Sequence, residues 1–76
     1  MKIEIMGTGC PRCKELYENT RQVLKNKGIE AEVVKVEDLE KISAAGVLIT
    51  PALVIDGKIK SSGKILSVKE IEKIIV

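Results

Sequence analysis

Cys10 and Cys13 are the only two thiols among 76 residues, and two residues separate them. They lie in Gly7-Thr8-Gly9-Cys10-Pro11-Arg12-Cys13-Lys14, where a short apolar run gives way to a helical pattern. Sulfurs at this spacing can exchange electrons with another disulfide, share a soft metal ion, or close a small fixed ring. The fixed ring is the weakest of the three, because so short a loop removes little chain entropy. Exchange needs one reachable sulfur held partly as thiolate and a second able to resolve the mixed disulfide. Cys10, at a predicted helix start, meets the partial positive charge of unpaired backbone N–H groups. Arg12 and Lys14 add cationic potential nearby. Cys10 is therefore assigned as the nucleophile and Cys13, one helical turn further in, as the resolving thiol. Pro11 stiffens the loop between them while serving as an ordinary first-turn proline. Arg12 either tunes the potential and selects partners or is simply solvated.

Composition narrows what these sulfurs can serve. The chain is 45% hydrophobic and 32% charged, which fits one globular domain over residues 1–76 rather than disorder. Tyr17 is the single aromatic residue, so the core must be built from Ile, Val, Leu and Ala. The net charge of +2 is spread rather than clustered, and aromatics for base stacking are lacking, so nucleic acid is not an expected partner. No apolar run is long enough to span a bilayer, and the N-terminus has no signal-peptide pattern, so a cytoplasmic protein without membrane partners is expected. In that compartment paired cysteines point to catalysis or metal binding rather than a permanent staple. Two Cys and no His give only half the ligands of a closed zinc site within one chain.

The elements that must position the thiols can be taken in order. Lys2-Ile3-Glu4-Ile5-Met6 alternates and reads as a strand. Gly7, Thr8 and Gly9 break it, and Pro11 opens a helix whose inward face is Cys13, Leu16, Tyr17, Thr20, Val23 and Leu24. Gly28, after Lys25 and Lys27, ends that helix. Ile29 to Val36 reads as a second strand, parallel to the first through a right-handed crossover. Asp38 caps a short helix with Leu39, Ile42 and Ala45 inward, ended by Gly46. After a Val47-Leu48-Ile49 linker and Thr50-Pro51 comes a buried strand, Ala52 to Ile55. Asp56-Gly57 predicts a type I′ hairpin into a fourth, antiparallel strand from Lys58 to about Ser61. Ser67 and Glu70 form a capping box for the last helix, with Leu66 and Ile71 at staple spacing and Val68, Ile71, Ile74 and Ile75 as its apolar stripe. The order is βαβαββα, an α/β chain.

On Cys10-Pro11-Arg12-Cys13-Lys14 after the first strand, Thr50-Pro51 before the third and Gly63 before the last helix, the chain resembles the thioredoxin/glutaredoxin superfamily. Within it the chain is similar to the small thioredoxin-like redox-active disulfide proteins of archaea and bacteria. The resemblance covers essentially the whole chain. It implies a four-stranded mixed sheet ordered 2-1-3-4 with helices on both faces, and a cis Thr50–Pro51 bond beside the dithiol. It implies that Thr50 offers its backbone to an extended substrate segment, with Pro51 and Gly63 on the same substrate-binding side. Glu4 stands six residues before Cys10, where thioredoxins place a buried acid that relays a proton to the resolving cysteine. Read without the family, Glu4 is a strand residue at a solvated edge.

The implied activity is that of a thiol–disulfide oxidoreductase with no cofactor beyond the Cys10–Cys13 redox-active disulfide. The implied partners are a disulfide-containing protein substrate and a thioredoxin-reductase-like electron donor, met by a monomer whose dithiol stays accessible. Gly9 stands where thioredoxins carry Trp, and Arg12 where glutaredoxins carry an aromatic residue. Ile49-Thr50-Pro51 replaces their Thr-Val-Pro, and Ser62-Gly63 replaces their Gly-Gly, which favours a protein disulfide over glutathione. A Cu(I) carrier is the main rival. Heavy-metal-associated domains, however, place Met two residues before the first Cys, and Met6 is four before; they also end in a strand. A redox-sensitive binding module of the same fold is the third reading, since it needs the same dithiol.

Overall fold

The computed structural model describes residues 1–8 and 11–75. Its elements are β1 (Lys2–Met6), α1 (Pro11–Lys27), β2 (Glu32–Val36), α2 (Leu39–Ala44), β3 (Ala52–Ile55), β4 (Lys58–Ser62) and α3 (Val68–Ile74). The sheet is ordered β2-β1-β3-β4. β1 runs parallel to β2 and antiparallel to β3, and β3 runs antiparallel to β4. This is the mixed α/β architecture expected from the sequence.

Strand alternation divides the core into two clusters. Ile3 and Ile5 of β1, with Leu53 and Ile55 of β3, pack beneath α1 and α3 against Leu16, Val23, Leu24, Leu66, Ile71 and Ile75. Met6, Val36, Ala52 and Val54 pack on the other face with Ile42 of α2 and Val47. Period-two side chains thus give helices to both faces of one sheet.

Local chemistry fixes the ends of the elements. Gly28 has φ of +65°, its N–H donates to the Lys25 carbonyl, and the Ile29 N–H donates to the Leu24 carbonyl. This closing pair of bonds is a Schellman motif, which glycine enters without a Cβ penalty. Because Ile29 is used there, β2 starts at Glu32 rather than at Ile29. Asp38 caps α2 by accepting from the Glu40 N–H. Of the three residues expected to face inward on α2, Ile42 alone is buried; Leu39 and Ala45 are exposed. A six-residue helix makes under two turns, too few for an apolar stripe to form.

The hairpin at Asp56-Gly57 has positive φ at both residues, as a type I′ turn requires. Asp56 also clasps the start of the chain. Its N–H donates to the Lys2 carbonyl, and its Oδ1 accepts from the Lys2 N–H at 2.8 Å. At α3 the capping box is complete: the Glu70 N–H donates to Ser67 Oγ, and the Ser67 N–H donates to a Glu70 carboxylate oxygen, each at 3.2 Å. Leu66 and Ile71, at staple spacing, are both buried in the cluster under α1 and α3. No helix is long and apolar enough to cross a membrane among the described residues.

Candidate active site

The site forms where the carboxyl end of β1 meets the first turn of α1. Pro11 opens α1, and the helical face it starts carries Cys13, Leu16, Thr20, Val23 and Leu24 into the core. Cys13 is buried, 6% exposed, so its sulfur lies behind the surface rather than on it. Cys10 lies outside the described residues.

What lets Cys13 sit so close to the sheet is Gly7, a buried residue just past β1. Its N–H donates to the Val36 carbonyl at 2.9 Å, extending the β1–β2 ladder by one bond. A Cβ on Gly7 would collide with Cys13 Sγ and come within 3.8 Å of Pro51 Cα. Gly7 therefore borders both the cysteine and the proline. The sequence shows Gly7 as a strand breaker; the requirement for no side chain arises from tertiary packing.

The Thr50–Pro51 peptide bond is cis. Pro51 is buried and Thr50 half-buried, so Pro51 fills the interior side of the loop while Thr50 stays in reach of solvent. Gly63 joins this loop to α1. Its N–H donates to the Pro51 carbonyl at 2.8 Å, and its carbonyl accepts a long bond, 3.5 Å, from Arg12 Nη2. Gly63 has φ of +76°, and a Cβ there would approach Ile49 Cγ2 to 2.7 Å. Thus Arg12, Gly63 and Pro51 form one connected group, with Arg12 on the surface.

Beside this loop are two exposed apolar side chains, Leu48 at 95% and Ile49 at 62%. The sequence shows them only as part of a linker. The available signal is their chemistry: large aliphatic residues in a connector leading into a Thr-Pro pair have no reason to be there for solubility.

Glu4 is half-buried, and β1 is an interior strand, so it is not at a sheet edge. Its register partners are Val34 and Val54, on the α2 side of the sheet. Cys13 lies on the α1 side, so the structure does not bring Glu4 and Cys13 together on one face. Lys14 is exposed and lines a cavity of about 110 Å³ with Cys13, Gly7, Ile5, Lys35 and Glu37. Lys35 pairs in register with Ile5, and its Nζ lies 4.4 Å from the centroid of the Tyr17 ring. The sequence does not mark Lys35 and Glu37, since nothing local to β2 shows that α1 brings a cysteine beside them. A larger, open groove of about 1000 Å³ runs along α1 and the start of β2, past Tyr17, Arg21 and Ile29, and Cys13 does not line it. Among the described residues no cluster of three metal-ligating side chains is formed.

A cysteine buried at the start of a helix, opposite a cis-proline loop, on a 2-1-3-4 sheet defines the thioredoxin-like class. Comparison with known proteins agrees. The family model described as "Thioredoxin domain" matches residues 1–76. The thioredoxin of Methanothermobacter thermautotrophicus is 43% identical over 75 residues, covering 99% of this chain and 97% of that protein. The thioredoxin of Methanocaldococcus jannaschii is 46% identical over 71 residues, covering 93% of this chain and 81% of that protein. The chain belongs to the thioredoxin family, and its class of activity is thiol–disulfide oxidoreduction.

Proposed function

We propose that the chain reduces disulfides in protein substrates through Cys10 and Cys13 and is itself re-reduced by a thioredoxin-reductase-like donor. The carrying observation is the placement of Cys13: buried and packed on Gly7, where the Cα of Pro51 also comes close. A sulfur held behind the surface suits the second step of exchange rather than the first. Cys10 takes the first step as a thiolate at the helix start, attacking a substrate sulfur and releasing the other as a thiolate. Cys13 then attacks Cys10 Sγ of the mixed disulfide. The Cys10–Cys13 bond forms, the substrate's second sulfur leaves, and two electrons have passed to the substrate.

Thr50 presents backbone to the substrate chain, and Pro51 and Gly63 hold that loop in place. Exposed Leu48 and Ile49 beside it give an apolar approach that suits a polypeptide better than a small charged thiol. Arg12 anchors the loop through Gly63, while Pro11 and Lys14 shape the first turn and its potential. The protein works in the cytoplasm as a monomer and needs no group beyond its two sulfurs.

Reduction of insulin by dithiothreitol tests this reading. Wild type accelerates it, Cys10→Ser abolishes the acceleration, and Cys13→Ser accumulates a mixed disulfide. If Cys10→Ser retains full activity, the assignment of the sulfurs fails. Tight Cu(I) binding with negligible insulin reduction would put the metal-carrier reading in its place.

A further inference from the structure

The resolving step needs Cys13 as a thiolate, and a thiol buried at 6% exposure must pass its proton to something within reach. On the Cys13 side of the sheet, the group able to accept one is neither Glu4 nor any other residue of β1. The cavity against Cys13 is lined by Ile5 and Gly7 at the end of β1, Lys14 on α1, and Lys35 and Glu37 at the end of β2. Its volume of about 110 Å³ leaves room for several water molecules, and three charged side chains supply the polar partners such waters need. Lys14, Lys35 and Glu37 are all exposed, so the cavity meets bulk solvent at its charged rim.

We infer that Glu37 is the proton acceptor for Cys13, taking the proton through water in this cavity as the mixed disulfide is resolved. Three observations converge on it. Among the described residues, Glu37 is the single carboxylate lining the cavity that Cys13 lines. Glu4 is in register with Val34 and Val54, on the opposite face of the sheet. Lys35, whose Nζ is held over the Tyr17 ring, and Lys14 put positive charge on the cavity wall, which lowers the cost of a thiolate forming there. Tyr17 is four residues after Cys13 on the same face of α1, so the helix that carries the sulfur also carries the ring that holds Lys35.

The step balances as follows. The Cys13 S–H bond breaks and its proton passes by water to the Glu37 carboxylate. Cys13 S⁻ attacks Cys10 Sγ, the Cys10–Cys13 bond forms, and the substrate sulfur leaves as a thiolate. Glu37, exposed at the rim, then gives the proton to solvent or to the departing thiolate. Glu37 acts through water and not on the sulfur directly, so its role is to position and receive the proton. The inference rests on the assignment of Cys10 as first nucleophile and Cys13 as second.

The two steps can be read separately with 5,5′-dithiobis(2-nitrobenzoate) in substoichiometric amount against the reduced full-length chain in a stopped-flow spectrometer. Attack by Cys10 releases one equivalent of the yellow thiolate, and resolution by Cys13 releases the second. Glu37→Gln is expected to slow the second release about tenfold or more, at the lower end of general-base effects, and to leave the first unchanged. Glu37→Asp should restore part of the rate, and Glu4→Gln should leave both phases as in wild type. The pH profile of the second phase should lose its dependence on the carboxylate in Glu37→Gln, which a merely structural change would not do. A second phase in Glu37→Gln with wild-type rate and pH profile overturns the inference, as does a loss of rate confined to Glu4→Gln. If the first release survives Cys10→Ser, the sulfur assignment has failed instead, and the inference falls with it.

Discussion

The Cα of Gly7 lies so near Cys13 that a methyl group on it would fall on the sulfur. Backbone from the end of β1 and sulfur from the first turn of α1 thus share a space that allows nothing larger than hydrogen. Gly7→Ala is expected to cost about 1–3 kcal/mol as an overpacked core site. It should also alter the second release of thiolate, because Cys13 must move to admit the methyl. A denaturation midpoint and second-phase rate both equal to wild type would show that the contact is slack.

Gly63 is constrained twice, by a positive φ and by Ile49. Gly63→Ala is expected to destabilise the fold by about 1–2 kcal/mol from the backbone alone. It should also raise KM for insulin more than it lowers kcat, since the residue touches the Pro51 loop and Arg12 rather than the sulfurs. An unchanged KM with a reduced kcat would separate Gly63 from substrate binding.

The capping box gives a pH prediction. The Ser67 backbone N–H, and then its side chain, hold the Glu70 carboxyl below its ordinary pKa, with Lys64 and Lys73 adding to the effect. A depressed folded-state value means that the charge stabilises the fold above the unfolded carboxylate pKa. That contribution is lost as pH falls through the lower, folded value. The stability gap between wild type and Glu70→Gln should therefore be present at neutral pH and vanish in acid. A gap independent of pH would show that the charge plays no part. Ser67→Ala, which removes the hydroxyl acceptor, is expected to cost about 1 kcal/mol at neutral pH.

Thr20 is fully buried, and its Oγ1 donates to the Leu16 carbonyl at 2.8 Å within α1. Thr20→Val keeps the shape and loses one hydrogen bond, so it should cost no more than about 1.5 kcal/mol. Thr20→Ala loses a methyl as well and should be clearly worse. Equal losses in urea denaturation would mean that the hydroxyl, and not the packing, matters at this position.

Much of this architecture could be read from local chemistry. Alternating Ile3 and Ile5, the helical spacing from Cys13 to Leu24, Asp56-Gly57 and the Ser67/Glu70 pair each encode an element in a few neighbouring residues, and those elements formed where expected. Leu39 departed because a helix of six residues cannot hold a full apolar face, so tertiary packing chose Ile42 alone. Glu4 illustrates a different limit. Its distance in sequence from Cys10 is a family habit, whereas the face it occupies depends on strand alternation and on which side α1 crosses. Lys35 and Glu37 were invisible for the same reason: β2 contains no sign that a cysteine from another element closes over its end.

The clasp between Lys2 and Asp56 fixes where the chain can be handled. It pins the amino-terminal end of β1, and the five residues of that strand carry the backbone roughly 17 Å away before it reaches Gly7. A surface tether or fluorescent label joined at Met1 would therefore hang from the pole of the molecule opposite its sulfur, leaving that face open to large partners.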